Sequence, residues 1–226
     1  GAVAGKSFHL GIDKNLVLPV DYSSPFDETT FDNRTINTSL PVGTIPGSAS
    51  VTASGSATYT IPIYIPPGTA EMQPSLSLVY NSQAPEGILG MGWNISGLSA
   101  ITRFPKTIYQ DGYVRPIEMN DNPFLNSFAL DGNRLLNYSG GNTFRTEVET
   151  FNLITSYGSA PGPVWFDCLT KNGLTLEYGK TADSKLLSET NNEVLAWKIS
   201  KLYDNFGNYL DYKYRNNDRE ILIDEI

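Results

Sequence analysis

The side chains that most often carry nucleophilic or acid–base chemistry are scarce in this sequence of 226 residues. It has one cysteine, Cys168, and one histidine, His9, far apart along the chain. A reactive cysteine needs a neighbouring base or cation that lowers its pKa, whereas Cys168 stands in the apolar run PVWFDCLT. We interpret Cys168 as a small buried core residue, and a lone cysteine provides neither an internal disulfide nor a cysteine metal cluster.

Carboxylates are the second kind of candidate, because glycoside hydrolysis uses two of them on either side of a glycosidic bond. The acidic residues that qualify are scattered over predicted turns: Asp111, Glu118, Asp121, Asp131, Asp167 and Glu177. Aspartate is common in turns because its side chain accepts hydrogen bonds from the nearby backbone. The pattern therefore favours a solvated acidic surface, and a hydrolase would require two of these carboxylates in one pocket.

A glycine-rich stretch, EGILGMGWNISGLSAITR at residues 86–103, could cradle a phosphate through its Gly87-x-x-Gly90-x-Gly92 pattern. Such a loop stands between a strand and a helix and often carries a lysine, but no helical pattern follows here and the stretch has no lysine. Glycine also serves where φ is positive or where backbones approach closely. We predict a structural corner in which these glycines let the ring of Trp93 be buried between strands.

The stretch YDNFGN, residues 203–208, resembles part of a calcium-binding loop but lacks the alternating oxygen ligands and the terminal glutamate. A hairpin turn explains it better, because Asp204 can accept bonds from the turn backbone and Gly207 can take the left-handed conformation. We predict an antiparallel hairpin formed by Trp197–Asp204 and Asn208–Tyr214.

Aromatic side chains could stack on sugars, so a carbohydrate- or protein-binding surface module is the second hypothesis for function. The candidates for exposed aromatic residues are Trp165, Tyr109, Tyr113 and Tyr138. In a strand-rich chain, most such residues are cross-strand partners instead.

The composition is that of a sheet-rich globular protein. Hydrophobic residues make up 40% and aromatic residues 12%, which is enough for a sizeable core and argues against disorder. The net charge of −8 repels phosphate backbones, and no basic stripe interrupts it, so nucleic acid is excluded as a partner. No apolar run approaches the ~20 residues of a membrane helix, and no motif calls for a cofactor or a metal.

Alternating apolar and polar residues predict short strands, with turn residues between them. The runs ATYTIPIYIP and PSLSLVY place four aliphatic residues on one buried side: Ile61, Ile63, Leu76 and Leu78. We expect this side to surround Trp93.

Two dipeptides predict two-residue hairpins, namely Asp131-Gly132 and Asn172-Gly173. Only residues 182–199 have any helical pattern, and there we predict a turn or a single helical turn followed by a strand. The last apolar run, Ile221–Ile223, predicts a strand at a sheet edge, and we interpret the chain as the front part of a longer polypeptide.

The predicted fold class is therefore all-β, with antiparallel strands and hairpins that form a curled sheet or a sandwich. We predict that residues 1–47 are an extended lead-in, and its first 40 residues have no recognisable counterpart. We expect residues 48–226 to form one β domain that ends in a hairpin region at 190–226.

Several motifs resemble the amino-terminal segment of the Salmonella virulence plasmid B protein family, which is shared with the B subunits of bacterial toxin complexes. They are Gly55 with Ala57, Pro66-Pro67-Gly68-Thr69, Gln73-Pro74, Leu76-x-Leu78-x-Tyr80, Gly87-x-Leu89-Gly90-x-Gly92-Trp93 and Leu98-x-x-Ile101-x-Arg103. A second stretch, from EYGKTADSKL through Trp197 to ISKLYDNFGNYLDYKY, is similar to the same family. Its Tyr203-Asp204-x-x-Gly207-Asn208 core also resembles the tyrosine–aspartate repeat of Rhs-type proteins.

The resemblance implies a non-catalytic scaffold, the front part of a larger Rhs-type β body that helps to enclose a toxic polypeptide. It implies a secreted or bacterial cell-surface location. The implied partners are the downstream part of the same polypeptide and other toxin-complex subunits. Some family members carry a separate ADP-ribosyltransferase domain, and nothing in these residues matches it.

Overall fold

The structure, a computed structural model, describes residues 46–117, 127–138, 140–158, 162–188, 193–216 and 221–226. Nearly all of the predicted lead-in lies outside the described residues, together with His9, Glu118 and Asp121.

The described residues form mainly short strands, which confirms the all-β prediction. Helical structure is confined there to α1 (Ile108–Asp111) and a 3-10 turn at Thr69–Glu71. The strands are β1 (Ser48–Val51), β2 (Ala57–Pro62), β3 (Ser77–Asn81), β4 (Glu86–Gly87), β5 (Gly90–Met91), β6 (Trp93–Ser96), β7 (Ala100–Arg103), β8 (Phe128–Leu130), β9 (Asn133–Leu136), β10 (Thr143–Thr146), β11 (Leu153–Tyr157), β12 (Trp165–Leu169), β13 (Thr175–Tyr178), β14 (Lys185–Leu187), β15 (Val194–Tyr203), β16 (Tyr209–Asp211), β17 (Lys213–Asn216) and β18 (Ile221–Glu225).

Eight antiparallel strands join into one closed sheet in the order β13-β12-β11-β10-β9-β8-β7-β15. The ring closes through the ten-residue strand β15. Its residues 196–198 pair with β7, and its residues 199–203 pair with β13 across a register shift at Glu177/Tyr178. Closure gives each of these strands two neighbours and so removes free edges. The prediction of a curled sheet is therefore confirmed, and the sheet curls far enough to close on itself.

Aromatic side chains fill the interior of the closed sheet. Trp197, with no exposed surface, packs edge-on against Phe166 and Phe128, with ring centroids 5.0 and 5.6 Å away. The guanidinium of Arg103 lies over the rings of Phe128 and Trp197, and its Nε donates a hydrogen bond of 2.8 Å to the Val194 carbonyl. An eight-stranded ring is just wide enough to be filled in this way.

A second, four-stranded sheet has the order β1-β2-β3-β6. The register places Tyr80 opposite Trp93, with ring centroids 5.3 Å apart, and puts Ile61 and Leu78 on the same face. Trp93 is half-buried on this face and is not enclosed as the sequence predicted. The reason is that this sheet is narrow and its edge strand β1 is exposed along its length, so it cannot surround a ring.

The two predicted hairpins have different turns. Leu130 pairs with Asn133, so Asp131 and Gly132 form the expected two-residue turn, both with positive φ. At the second position, the amide of Thr170 donates to the Leu174 carbonyl and leaves three residues, 171–173, in the loop. The prediction of a two-residue turn there is wrong. The Thr170 hydroxyl donates to the Leu174 carbonyl and accepts from the Leu174 amide, and these two bonds stabilise the wider loop.

Residues 181–184 form a turn, as expected, but Lys185–Leu187 form strand β14 along β15 and no helical turn. The Ser184 carbonyl accepts a bond from the Lys198 amide, which ties this segment into the sheet. At the end of the chain, β18 pairs with β17 alone among the described residues, so it lies at a sheet edge as predicted.

Candidate functional site

The glycine-rich stretch forms a corner in which a side chain would either collide with its neighbours or require a positive φ. Gly92 has φ +75°, and a Cβ there would lie 2.7 Å from the Tyr80 ring. A Cβ on Gly87 would collide with the Trp93 carbonyl oxygen, and Gly90 has φ +104° in open space. The stretch continues into strand β6 and not into a helix, so it does not have the arrangement of a phosphate-binding loop.

The Tyr203–Asn208 segment is a hairpin turn organised by one aspartate. Asp204 Oδ1 accepts bonds from the amides of Phe206 and Asn208, at 2.8 and 2.9 Å, and its Oδ2 accepts one from Asn208 Nδ2. These bonds, that of Asn208 first, hold the pKa of Asp204 below its ordinary value. Gly207 has φ +90°.

The predicted hairpin is confirmed over a shorter range than expected. Tyr203 pairs with Tyr209 and Lys201 with Asp211, and the Tyr212 amide still bonds the Ser200 carbonyl. Trp197 pairs instead with Ile101 of β7. The reason is that β15 is ten residues long and pairs with β7 near its start and with β16 near its end.

Two of the candidate carboxylates have structural roles. Asp111 forms ion pairs with Arg134 and Lys106. Burial opposes its ionisation, but bonds from Thr107 and Arg134 keep its pKa below the ordinary value. Asp131 Oδ2 accepts the Ser99 hydroxyl at 2.6 Å, and its Oδ1 accepts the Ala100 amide.

The other two described carboxylates, Asp167 and Glu177, are brought together. They face each other across β12 and β13, and the same register continues to Lys201 on β15 and Asp211 on β16. Glu177 forms an ion pair with Lys180, and Lys201 forms one with Asp211 at 3.3 Å. These five residues form a charged row across the outer face of the closed sheet.

Aromatic residues flank the charged row on both sides. On one side Tyr157 stacks on Trp165, with ring centroids 4.0 Å apart and planes 7° from parallel. On the other side Tyr203 pairs with Tyr209. We call these nine residues the outer-face site: Tyr157, Trp165, Asp167, Glu177, Lys180, Lys201, Tyr203, Tyr209 and Asp211.

Lysine ammonium groups cover two of these rings. Lys180 Nζ lies 4.6 Å from the centroid of Trp165, and Lys201 Nζ lies 4.0 Å from that of Tyr209. A shallow depression lies between them, lined by Glu177, Lys180, Lys201, Tyr203, Gly207 and Tyr209.

The pKa values of three side chains in the site depart from their ordinary values. Burial, with the nearby charge of Glu177, raises the pKa of Asp167, although Tyr157 and Lys180 oppose this. Burial and the Asp167 charge also raise the pKa of Tyr157. The bond to Glu177 raises the pKa of Lys180.

The sequence identified Trp165, Asp167 and Glu177 as separate candidates. It did not predict that they lie in one site, because their proximity depends on strand register. It missed Tyr157, Lys180 and Lys201 altogether. One signal was available: Lys201 and Tyr203 stand two residues apart in a predicted strand, which places both side chains on the same face.

The remaining candidates do not form a site. Cys168 is buried in the core, and burial raises the pKa of its thiol to about 12. Tyr109, Tyr113 and Tyr138 are exposed and lie outside the strands, so the expectation that most of the candidate aromatic residues are cross-strand partners is wrong for these three. Trp165 does have a cross-strand partner, Tyr157. Within the described ranges, no group of three or more His, Cys, Asp or Glu side chains is arranged to hold a metal ion. No helix in that part of the chain is long and apolar enough to cross a membrane.

These features define the class of the protein. It is an all-β protein built on a closed eight-stranded sheet with a filled interior, a glycine-rich corner and a hairpin turn organised by Asp204. Residues 51–115 and 141–225, about two thirds of the chain, match the family described as Salmonella virulence plasmid 65kDa B protein. The chain belongs to this family, which confirms the resemblance found in its motifs.

Solved structures share the fold. The Tc holotoxin pore of Photorhabdus luminescens, with the mutation TccC3-D651A, matches 82% of this chain at 16% identity and a TM-score of 0.59. TcdB2-TccC3 matches 80% at 17% identity and a TM-score of 0.61. The N-terminal domain of effector protein SpvB from Salmonella typhimurium strain LT2 matches 70% at 20% identity and a TM-score of 0.54.

The matched part is a small piece of the larger proteins. This chain covers 10% of each of the two toxin-complex chains and 55% of the SpvB chain. No curated protein sequence matches it.

Proposed function

We propose that this chain is a non-catalytic structural segment of a secreted bacterial toxin-type polypeptide and serves as part of a larger β scaffold. The observation that carries the proposal is the filled interior of the closed sheet. Trp197, Phe166 and Ile101 are fully buried in the space where an eight-stranded carrier protein would hold its ligand. The family match and the fold shared with toxin-complex chains support the same function.

The proposed partners are the rest of the same polypeptide and other subunits of a toxin complex. Strand β18 offers an edge for the first of these, since it pairs only with β17 in the described part of the chain. Ile223 of β18 is buried against the core, so a strand added at this edge would continue a packed ribbon. Secretion by a bacterium is part of the proposal.

The competing function is glycoside hydrolysis, because Asp167 and Glu177 face each other across adjacent strands. Two features favour the structural reading. The Glu177 carboxylate is engaged by Lys180, and the pair lies on an outer face beside a shallow depression instead of in a cleft. A hydrolase needs both carboxylates free to reach a bound sugar.

The scaffold proposal is tested in the longer polypeptide to which this chain is proposed to belong. We expect Phe166→Ala, which opens the core, to make the sequence beyond residue 226 sensitive to limited proteolysis. Tyr109→Ala, which removes a 96% exposed side chain, is the surface control and should leave the cleavage pattern unchanged. A downstream part that resists the protease as well with Phe166→Ala as without it would contradict a scaffold role.

The non-catalytic part of the proposal is tested by incubating the 226-residue chain with neutral hexasaccharides and analysing the products by chromatography. We expect the sugars to remain intact. Cleavage by the wild type that disappears in both Asp167→Asn and Glu177→Gln would establish the hydrolase instead.

A further inference from the structure

The outer-face site combines features that a purely structural ion-pair row does not need. Its charged residues follow one register across four strands, from Asp167 through Glu177 and Lys201 to Asp211. Neighbouring strands lie about 4.8 Å apart, so the row extends over about 14 Å. Including Tyr157 on β11, the site spans five strands and about 19 Å.

The aromatic residues bracket this row. Trp165 stands two residues before Asp167 on β12, and Tyr203 stands two residues after Lys201 on β15, so each shares the outer face with its neighbour in the row. Tyr157 and Tyr209 form the two ends, and Tyr209 has 57% of its surface exposed. An elongated ligand could therefore contact a ring at each end and charged groups between them.

One oxygen in the row has no partner. Asp167 Oδ1 is buried and accepts no hydrogen bond from the described residues. A buried acceptor without a donor has lost its hydrogen bonds to water and gained none in return, which is why such atoms normally find a donor. The groups that interact with Asp167 are Tyr157, Lys180 and Glu177. Lys180 keeps 46% of its side chain exposed, so this long side chain has room to rotate when a ligand approaches.

The charges decide which ligand fits. An anion would meet Asp167, Glu177 and Asp211, and a cation would meet Lys180 and Lys201. Carboxylates only accept hydrogen bonds and ammonium groups only donate them, whereas a hydroxyl does both. Sugars carry many hydroxyls, and their apolar ring faces pack on aromatic rings.

We propose that the outer-face site binds a neutral, linear oligosaccharide. A hydroxyl of the sugar donates to Asp167 Oδ1, and others accept from Lys180 and Lys201. Tyr157 and Tyr209 contact sugar rings at the two ends. This binding goes beyond the scaffold role and does not depend on it, because the site lies outside the filled interior.

The test uses isothermal titration calorimetry of the 226-residue chain with cellohexaose, maltohexaose, chitohexaose and mannohexaose. Hexalysine and a heparin-derived hexasaccharide are the charged comparisons. We expect at least one neutral hexasaccharide to bind with a Kd below about 1 mM and more tightly than either charged ligand. No binding by any of the four, or tighter binding of a charged ligand, would overturn the proposal.

Variants locate the binding. We expect Tyr157→Ala and Tyr209→Ala each to raise the Kd about tenfold or more, while Tyr109→Ala, which removes a 96% exposed tyrosine on α1, leaves it unchanged. Asp167→Asn keeps the shape of the side chain but turns one oxygen into a donor group, and it should also weaken binding. Thermal unfolding confirms that each variant is folded. If Tyr157→Ala, Tyr209→Ala and Asp167→Asn all bind the sugar with the same Kd as the wild type, the sugar binds elsewhere and the assignment is overturned.

The same samples separate this inference from the proposed function. An intact hexasaccharide that binds supports both proposals. A bound hexasaccharide that is cleaved supports the binding site and contradicts the non-catalytic role.

Discussion

Two tryptophans of this chain stand in similar alternating sequences and have different environments. Trp93 is half-buried beside Tyr80, whereas Trp197 has no exposed surface and touches Phe128, Phe166 and Arg103. The sequence predicted burial for Trp93. Both residues alternate with polar neighbours, but only the closed sheet has an interior that can enclose a ring.

Trp197→Ala should therefore lower the free energy of unfolding by about 3–5 kcal/mol, because it empties the centre of the core. Chemical denaturation measures the loss. Trp93→Ala is the matched control and should cost clearly less. Equal losses at the two positions would show that Trp93 is as important for packing as Trp197.

Three buried tyrosines predict the response to alkaline pH. Burial raises the pKa of Tyr212 to about 12 and raises those of Tyr178 and Tyr214 above their ordinary values. An unfolded tyrosine loses its proton near about pH 10. Between these values the folded state holds more protons than the unfolded state, so stability falls as the pH rises from about 10 to 12.

Urea denaturation at about pH 9 and about pH 11 measures this loss. Among the described residues the Tyr212 hydroxyl has no hydrogen-bond partner, so Tyr212→Phe removes one titrating group with little other change. The variant should lose less stability than the wild type between the two pH values. An identical loss would mean that Tyr212 ionises in the folded protein as it does in the unfolded chain.

At the scale of elements, the turns decide how strands connect. The Asp131-Gly132 turn followed from the dipeptide, because two residues with positive φ suffice to reverse an antiparallel pair. The Thr170–Leu174 loop did not, since its width depends on the Thr170 side chain as well as on Gly173. Asp204 plays a comparable part in the Tyr203–Tyr209 hairpin.

Gly207→Val should destabilise the protein by about 1–2 kcal/mol through backbone strain alone. Gly207 has φ +90°, and a Cβ there would meet no other atom within 4 Å. Thermal unfolding measures the effect. Gly207→Asn is the control and should cost less, because asparagine tolerates the left-handed region. If the two variants melt alike, the loss does not come from φ.

At the scale of the whole molecule, the closed sheet and the smaller sheets should differ in local stability. Strands of the closed sheet have neighbours on both sides, whereas β1 is an exposed edge and β17–β18 form a two-stranded ribbon. Local opening requires less free energy where fewer apolar contacts and hydrogen bonds must break.

Hydrogen exchange read by mass spectrometry should therefore find the slowest amides in β12, β13 and β15 and the fastest in β1. Peptides from β17 and β18 should exchange at intermediate rates. Uniform exchange across all of these strands would mean that the molecule opens only as a single cooperative unit.

The sequence by itself determined the strand content, the glycine corner motif, the turns at Asp131-Gly132 and Asp204–Gly207 and the family. Each of these depends on local alternation, on backbone conformations open mainly to glycine, or on motifs contiguous in the chain. Only the tertiary structure decided that β15 closes the sheet, that Trp197 is its centre, and that Asp167 and Glu177 meet beside Tyr157 and Lys201. The physical reason is register: residues far apart in sequence become neighbours only when particular strands pair, and periodicity does not specify which strands do so.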